Sequence, residues 1–164
     1  MNTAQWSMKS KIGRLYLVAS DKGLRGVFWK DQHVPMARTL KESRAAVRIL
    51  AKSTRQLKEY FGGKRKKFSL PLDMQGTAFQ KSVWTALSRI PYGRTSSYKE
   101  VARKIRNPKA VRAVGSANGM NPLCIIVPCH RVIAADGSIG GYSGRSGVKG
   151  KLLKMESNLT RIIC

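Results

Sequence analysis

Apolar and polar positions alternate loosely over residues 12–30. Leu15, Leu17 and Ala19 share one parity, and Leu24, Val27 and Trp29 follow after Asp21-Lys22-Gly23. The pattern predicts a β-hairpin, with Gly23 supplying the turn. The period then lengthens. Val47, Leu50, Leu57, Tyr60 and Phe61 form a stripe that predicts a helix over residues 45–61, ended by Gly62-Gly63. The basic loop at 62–67 reads as a solvated charge run. Residues 70–76 read as a bridge to a second unit.

Beyond the bridge the pattern is helical. Thr77-x-x-Gln80 is a capping box, followed by Phe79, Val83 and Leu87 at helical spacing, and Pro91-Tyr-Gly93 closes that helix. Ser97-x-x-Glu100 is a second capping box, opening a short helix with Val101, Ala102 and Ile105 on its inner face. Asn107-Pro108 predicts an N-cap with proline at the first helical position, and Asn118-Gly119 a left-handed stop. Two short helices separated by Arg106-Asn107 outline a helix-turn-helix. The second is rich in small residues, which allow close approach to another helix or to a nucleic-acid groove. Residues 123–127 are an apolar run that predicts a buried strand entering Pro128-Cys129-His130-Arg131-Val132. A glycine-rich loop follows at 136–144, and a last helix is predicted at 148–156 with Val148, Leu152 and Met155 inward.

Composition changes the picture through charge. The 164 residues include 32 Lys and Arg against 8 Asp and Glu, a formal net charge of +24. Residues 1–75 hold 17 bases and 5 acids, and residues 76–164 hold 15 and 3, so each part carries +12. A field of that sign attracts polyanions, with nucleic acid favoured because no basic amphipathic anchor segment is evident. No stretch is long and apolar enough to span a membrane, and the first ten residues lack a secretory signal, so the expectation is a soluble, cytoplasmic protein. Three cysteines, Cys124, Cys129 and Cys164, do not make a disulfide framework. With only His33 before Cys124, no zinc site is expected.

The candidate chemistry lies at Cys129-His130. A thiol attacks as thiolate, which needs an adjacent base or cation, and His130 is the obvious base. A carboxylate would orient the imidazole. Of Glu100, Asp136 and Glu156, the last is the one least explained by a cap or turn. Taken alone, a buried Cys beside a His is more often structural than reactive.

The string Asn121-Pro-Leu-Cys-Ile-Ile-Val-Pro-Cys-His-Arg-Val132 closely resembles the active-site signature of the O6-alkylguanine-DNA alkyltransferases. Residues 76–84 with Ile90-Pro-Tyr-Gly93, Ser97-Tyr98, Val111-Arg112-Ala-Val-Gly115, Gly141-Tyr-Ser-Gly144 and residues 152–156 extend the likeness over about 70–157 in one collinear order. The resemblance implies an α/β protein. A small N-terminal β-sheet-plus-helix domain, ribonuclease H-like, would occupy residues 1–75 with the linker. A mostly helical, winged helix-turn-helix-like domain would occupy 76–164 and carry the active-site cysteine.

The resemblance also implies roles. Cys129 would take the alkyl group from guanine O6, His130 would take the thiol proton through a water, and Glu156 would hold the imidazole. Asn121 would be a hinge. Arg112 would fill the gap left by a flipped nucleotide, with Ala113, Ser116 and Ala117 on the same helix against the minor groove. Tyr98 would crowd the target phosphate and bond guanine N3, and Tyr142 would wall the alkyl pocket. The Ser143 N–H would lie near O6, and the carbonyls of Cys129 and Val132 would read the exocyclic amine. The implied partner is double-stranded DNA containing O6-alkylguanine, met by a monomer without cofactor or metal. Two rivals stand beside this reading: a non-catalytic lesion sensor of the alkyltransferase-like type, and a thiol hydrolase.

Overall fold

The computed structural model describes residues 3–34, 44–139 and 147–163, with side chains of the last helix as far as Ser157. The chain divides into two units, Met1–Gln75 and Gly76–Cys164.

The first unit is an antiparallel sheet of β1 (Thr3–Ser10), β2 (Gly13–Ser20) and β3 (Leu24–Phe28), with α1 (Arg44–Phe61) packed against β1 and β2. The predicted hairpin is β2–β3. Strand β1 was not predicted, although Ala4, Trp6 and Met8 alternate; they pair with Ala19, Leu17 and Leu15. Its opposite parity includes a fully buried Gln5, whose amide donates to Asp31 (2.9 Å) and accepts from the Gln32 N–H (2.9 Å). The core gathers Leu15, Leu17, Leu24, Leu50, Leu57 and Tyr60. The buried face of α1 is Ala46, Ile49, Leu50, Ser53, Gln56, Leu57, Tyr60 and Phe61, so Val47 flanks the core instead of entering it. The helix stops where Gly63 turns left-handed (φ 75°). There the Gly63 N–H reaches the Tyr60 carbonyl (3.1 Å) and the Lys64 N–H the Glu59 carbonyl (2.9 Å).

Gly23 has a different role from the one expected. Its backbone is not left-handed. A Cβ there would stand 2.7 Å from the Leu72 carbonyl carbon and 2.8 Å from the Asp73 nitrogen. The glycine admits a returning chain. The Leu24 N–H donates to Pro71 O (2.8 Å), the Asp73 N–H donates to Leu24 O (2.9 Å), and the Asp73 carboxylate accepts from Ser20 (2.6 Å) and Arg25 (3.0 Å). Residues 71–73, read as part of a bridge, are therefore stitched into the N-terminal unit.

The second unit runs α2 (Ala78–Leu87), β4 (Ser96–Ser97), α3 (Tyr98–Lys104), α4 (Val111–Gly119), a 3-10 turn (Cys129–Arg131), β5 (Val132–Ile133) and α5 (Val148–Ile163). Both capping boxes form as predicted. The α3–α4 connection is longer than expected. Arg106 is left-handed (φ 59°), and the Asn107 N–H closes α3 on Ala102 O (2.9 Å). Asn107 O then accepts from the Ala110 N–H (3.0 Å), a separate turn, so Ala110 and not Asn107 precedes α4. Gly119 stays helical; the end is made by the Met120 N–H, shared between Ser116 O (3.1 Å) and Ala117 O (3.2 Å).

Residues 123–127 are buried, except for a half-buried Ile126, but are not a strand. The Val127 N–H turns back to Leu123 O (2.8 Å), and Ile125 is left-handed (φ 75°). The Asn121 amide replaces sheet partners, donating to Val127 O (2.8 Å) and accepting from the Leu123 N–H (3.0 Å). A β-branched residue in that conformation costs roughly 1–3 kcal/mol, tolerated where the surroundings over-determine it. Parallel pairing of β4 with β5, Ser96 with Val132 and Ser97 with Ile133, sets the start of α3 beside the 3-10 turn.

Candidate active site

The 3-10 turn buries three chemically active side chains in succession, Cys129, His130 and Arg131. Helix α5 supplies their counterpart. Its inner face is Val148, Lys149, Leu152 and Glu156; Met155, expected inward, is half-buried. Glu156 is 1% exposed and meets His130 Nε2 at 2.7 Å. The same carboxylate takes a two-pronged contact from Arg131, Nε at 3.0 Å and Nη2 at 2.9 Å. Arg131 also donates to Ile90 O (2.7 Å) and lies 5.6 Å from the Tyr92 ring centre. Arg131 escaped the sequence reading. Its signal was a charge inside a run of otherwise buried residues, where an unpaired ion is not tolerated.

These contacts decide the protonation states. Burial alone would raise the Glu156 carboxyl, but hydrogen bonds from His130 and Arg131 and their charges outweigh it, lowering its pKa to about 2. Glu156 is thus ionised, and His130 Nε2 carries the proton it shares. Burial is also the largest influence on His130 and lowers it, keeping the imidazole neutral. Nδ1 is left as the basic nitrogen; it is buried and has no hydrogen-bond partner among the described residues.

Cys129 is fully buried. The Cys124 thiol first, and then burial, push its pKa well up, while Asn121 and Lys149 pull it back. The resting group is therefore a thiol, and a thiolate exists only after the proton leaves. Cys124 itself lies 3.8 Å from Asn121 O. The Cys129 carbonyl accepts a long bond from Asn118 Nδ2 (3.4 Å), and Val132 is buried beside it. Tyr98, the first residue of α3, is half-buried; burial and then Cys129 raise its hydroxyl pKa. Lys149 is 2% exposed, and its ammonium lies 5.8 Å from the Tyr98 ring centre. Neither Lys149 nor Asn118 was read from sequence as a site residue, Asn118 being taken only as part of a helix stop; a Lys on the apolar face of the last helix was the available clue.

The structure thus brings Cys129, His130, Glu156, Asn121, Tyr98 and Val132 into one neighbourhood. On α4, Arg112, Ala113 and Ser116 are exposed together. Ala117 corrects the expectation of a groove-facing residue: it is 3% exposed, turned inward with Val114 and Asn118, and its carbonyl accepts from the Trp84 indole (2.8 Å). Ala117 thus lies on the side of α4 that packs against α2. Tyr142 and Ser143 lie outside the described residues. Among the described residues no three His, Cys, Asp or Glu side chains group as a metal site requires, and no helix is long and apolar enough to cross a membrane.

Comparison with known proteins agrees over both units. Residues 6–74 match the ribonuclease-like domain of 6-O-methylguanine DNA methyltransferase, and residues 78–158 match the DNA-binding domain of the same family. A methylated-DNA–protein-cysteine methyltransferase of Methanosarcina barkeri is 45% identical over 156 residues, covering 94% of this chain and 97% of that protein. The constitutive methylated-DNA–protein-cysteine methyltransferase of Bacillus subtilis is 54% identical over 108 residues, 65% of this chain and 66% of that one. The crystal structure of Mycobacterium tuberculosis OGT in complex with DNA superposes with a TM-score of 0.82 at 39% identity, covering 93% of this chain and 92% of that one. The chain belongs to the 6-O-methylguanine DNA methyltransferase family.

Proposed function

We propose that the protein is a methylated-DNA–protein-cysteine methyltransferase. It takes an O6-alkylguanine out of duplex DNA and transfers the alkyl group irreversibly to Cys129. The observation that carries this reading is the buried Cys129-His130 pair whose imidazole is held by Glu156 at 2.7 Å. The thiol proton passes to His130 Nδ1, relayed by a water. The Cys129 sulfur then bonds to the alkyl carbon as the carbon–O6 bond breaks, and the electron pair goes to the base. Tyr98, kept as a protonated phenol, supplies a hydrogen bond to guanine N3, and the Ser143 N–H serves O6. A thioether is a poor leaving group, so each molecule acts once. The reaction needs no cofactor or metal, and a monomer suffices for it.

Several features support DNA as the partner: the net charge of +24, the exposed Arg112 edge of α4, and the DNA complex of the M. tuberculosis relative. The repair reading requires a cytoplasmic location with access to DNA. A non-catalytic lesion sensor has no use for a thiol, base and carboxylate in one cluster. A thiol hydrolase would leave the α4 surface without purpose. Incubation with a methylated duplex, followed by mass mapping, tests the proposal: one added methyl on the peptide holding Cys129 is expected, and its absence after lesion loss refutes it.

Arg112→Ala is expected to slow repair in duplex DNA by about ten- to a hundredfold, the kinetic equivalent of part of an extrusion cost. Transfer from free O6-benzylguanine should stay unchanged, and equal losses on both substrates would exclude a role in flipping. Lys149→Met removes the cation that pulls the Cys129 thiol down. The pH profile of alkylation by free O6-benzylguanine should move up, while Lys149→Arg should restore it. An unmoved profile would make Lys149 a packing residue only.

A further inference from the structure

Helix α1 is divided along its length. Its buried residues occupy one side, and Arg44, Arg48, Lys52, Arg55 and Lys58 are all exposed on the other, within roughly 120° of arc at 3.6 residues per turn. The one acid on that side, Glu59, is engaged by Arg65 (2.6 Å) and Arg55 (3.8 Å). The stripe continues past the helix end into exposed Lys64 and Lys67.

Folding gives no reason for this arrangement. Arg44/Arg48, Arg48/Lys52 and Lys52/Arg55 are like-charge neighbours at helical spacing, each destabilising the helix. Arg44 and Arg48 also sit towards its positive N-terminal end, and the first turn holds no acid. From Arg44 to Arg55 the row runs about 16 Å at 1.5 Å per residue. Duplex DNA carries one charge per roughly 1.7 Å of axis, so a straight row of that length faces several phosphates.

We propose that the outer face of α1 is a second DNA-contacting surface, which binds the phosphate backbone without regard to sequence or lesion. Its occupant is undamaged duplex, and its contribution is electrostatic. It keeps the protein on DNA independently of the α4 surface that serves the reaction.

The test is the salt dependence of binding of the full-length protein to an undamaged duplex, by fluorescence anisotropy. The variant Arg44→Gln/Arg48→Gln/Lys52→Gln/Arg55→Gln should lower the slope of log affinity against log salt by about 2–3.6, from roughly 0.9 per phosphate released. A control removes the same charge from the hairpin strands and turns, which are also exposed: Lys9→Gln/Lys11→Gln/Arg14→Gln/Lys22→Gln. It should change the slope by less than half as much. Equal changes would mean that net charge alone matters and would overturn the proposal. So would an unchanged slope in the α1 variant, or loss of binding to single-stranded RNA or anionic vesicles exceeding that to duplex. Transfer from free O6-benzylguanine should be intact in both variants, which separates failure here from failure of the repair reading. The α1 variant should melt no lower than the parent; a lower melting temperature would assign the stripe to folding.

Discussion

On the proposed reading, Cys129→Ser is expected to abolish alkyl transfer while leaving DNA affinity within a factor of about two. The expected loss exceeds about 10⁴-fold, as for removal of a nucleophile that acts as one unit with its base. The substitution is nearly isosteric, and the neutral imidazole of His130 does not ionise a hydroxyl to any useful extent. The measurement pairs label transfer from methylated DNA with binding by gel shift. A serine variant that still acquired the label at the parental rate would move the acceptor to another residue. Cys124, buried nearby, would be the first to examine.

Glu156→Gln has the next largest effect, and it acts on both stability and reaction. Glutamine can still hydrogen-bond, but it leaves Arg131 buried without its counter-charge. Breaking one partner of a buried ion pair costs about 3–5 kcal/mol. The amide also permits the wrong imidazole tautomer, so transfer should fall by about 10²–10⁴. The same pairing has a pH signature. The Glu156 carboxyl lies at about 2 in the folded protein, below its ordinary 4.5. The unfolded chain therefore binds the proton more readily, and the stabilisation is present above pH 4.5 and lost as pH falls towards 2. The shift corresponds to roughly 3 kcal/mol. His130, lowered by burial, acts in the same direction below its ordinary 6.5. Thermal melts between pH 2 and 7 should show the parent losing stability on acidification, with the Gln variant starting lower and sloping less below pH 4.5. Matching melts and matching transfer rates would remove Glu156 from the relay.

What could be read from sequence was whatever is written locally. The capping boxes at Thr77 and Ser97 need only four residues each, and both formed. The buried face of α1 was legible because its period is regular, although Val47 and Ala46 exchange places. Local pattern is not enough where distant chain decides local shape. Residues 123–127 have strand composition, but the Asn121 amide offers their backbone a closer partner than any sheet. Gly23 looked like a turn glycine because the approach of Leu72 and Asp73 comes from fifty residues away. At the site, the signature string brought out Cys129, His130 and Asn121, and Glu156 was found as the carboxylate without another task. Arg131 and Lys149 left only weak traces, a charge inside an apolar run and a Lys on an apolar helix face, and such traces do not say which partner would receive an inward-folded cation. Ala117 was misplaced because small residues serve helix packing and groove contact equally well.

Peroxides and soluble electrophiles consume thiolates, and they do so in proportion to ionised fraction and access. Cys129 is shut off from solvent and held in its un-ionised form by Cys124 and by burial. For a reagent that, on the proposed reading, is spent a single time, this is a storage condition: a buried, un-ionised sulfur is a poor target for oxidants, and activation waits for the damaged base.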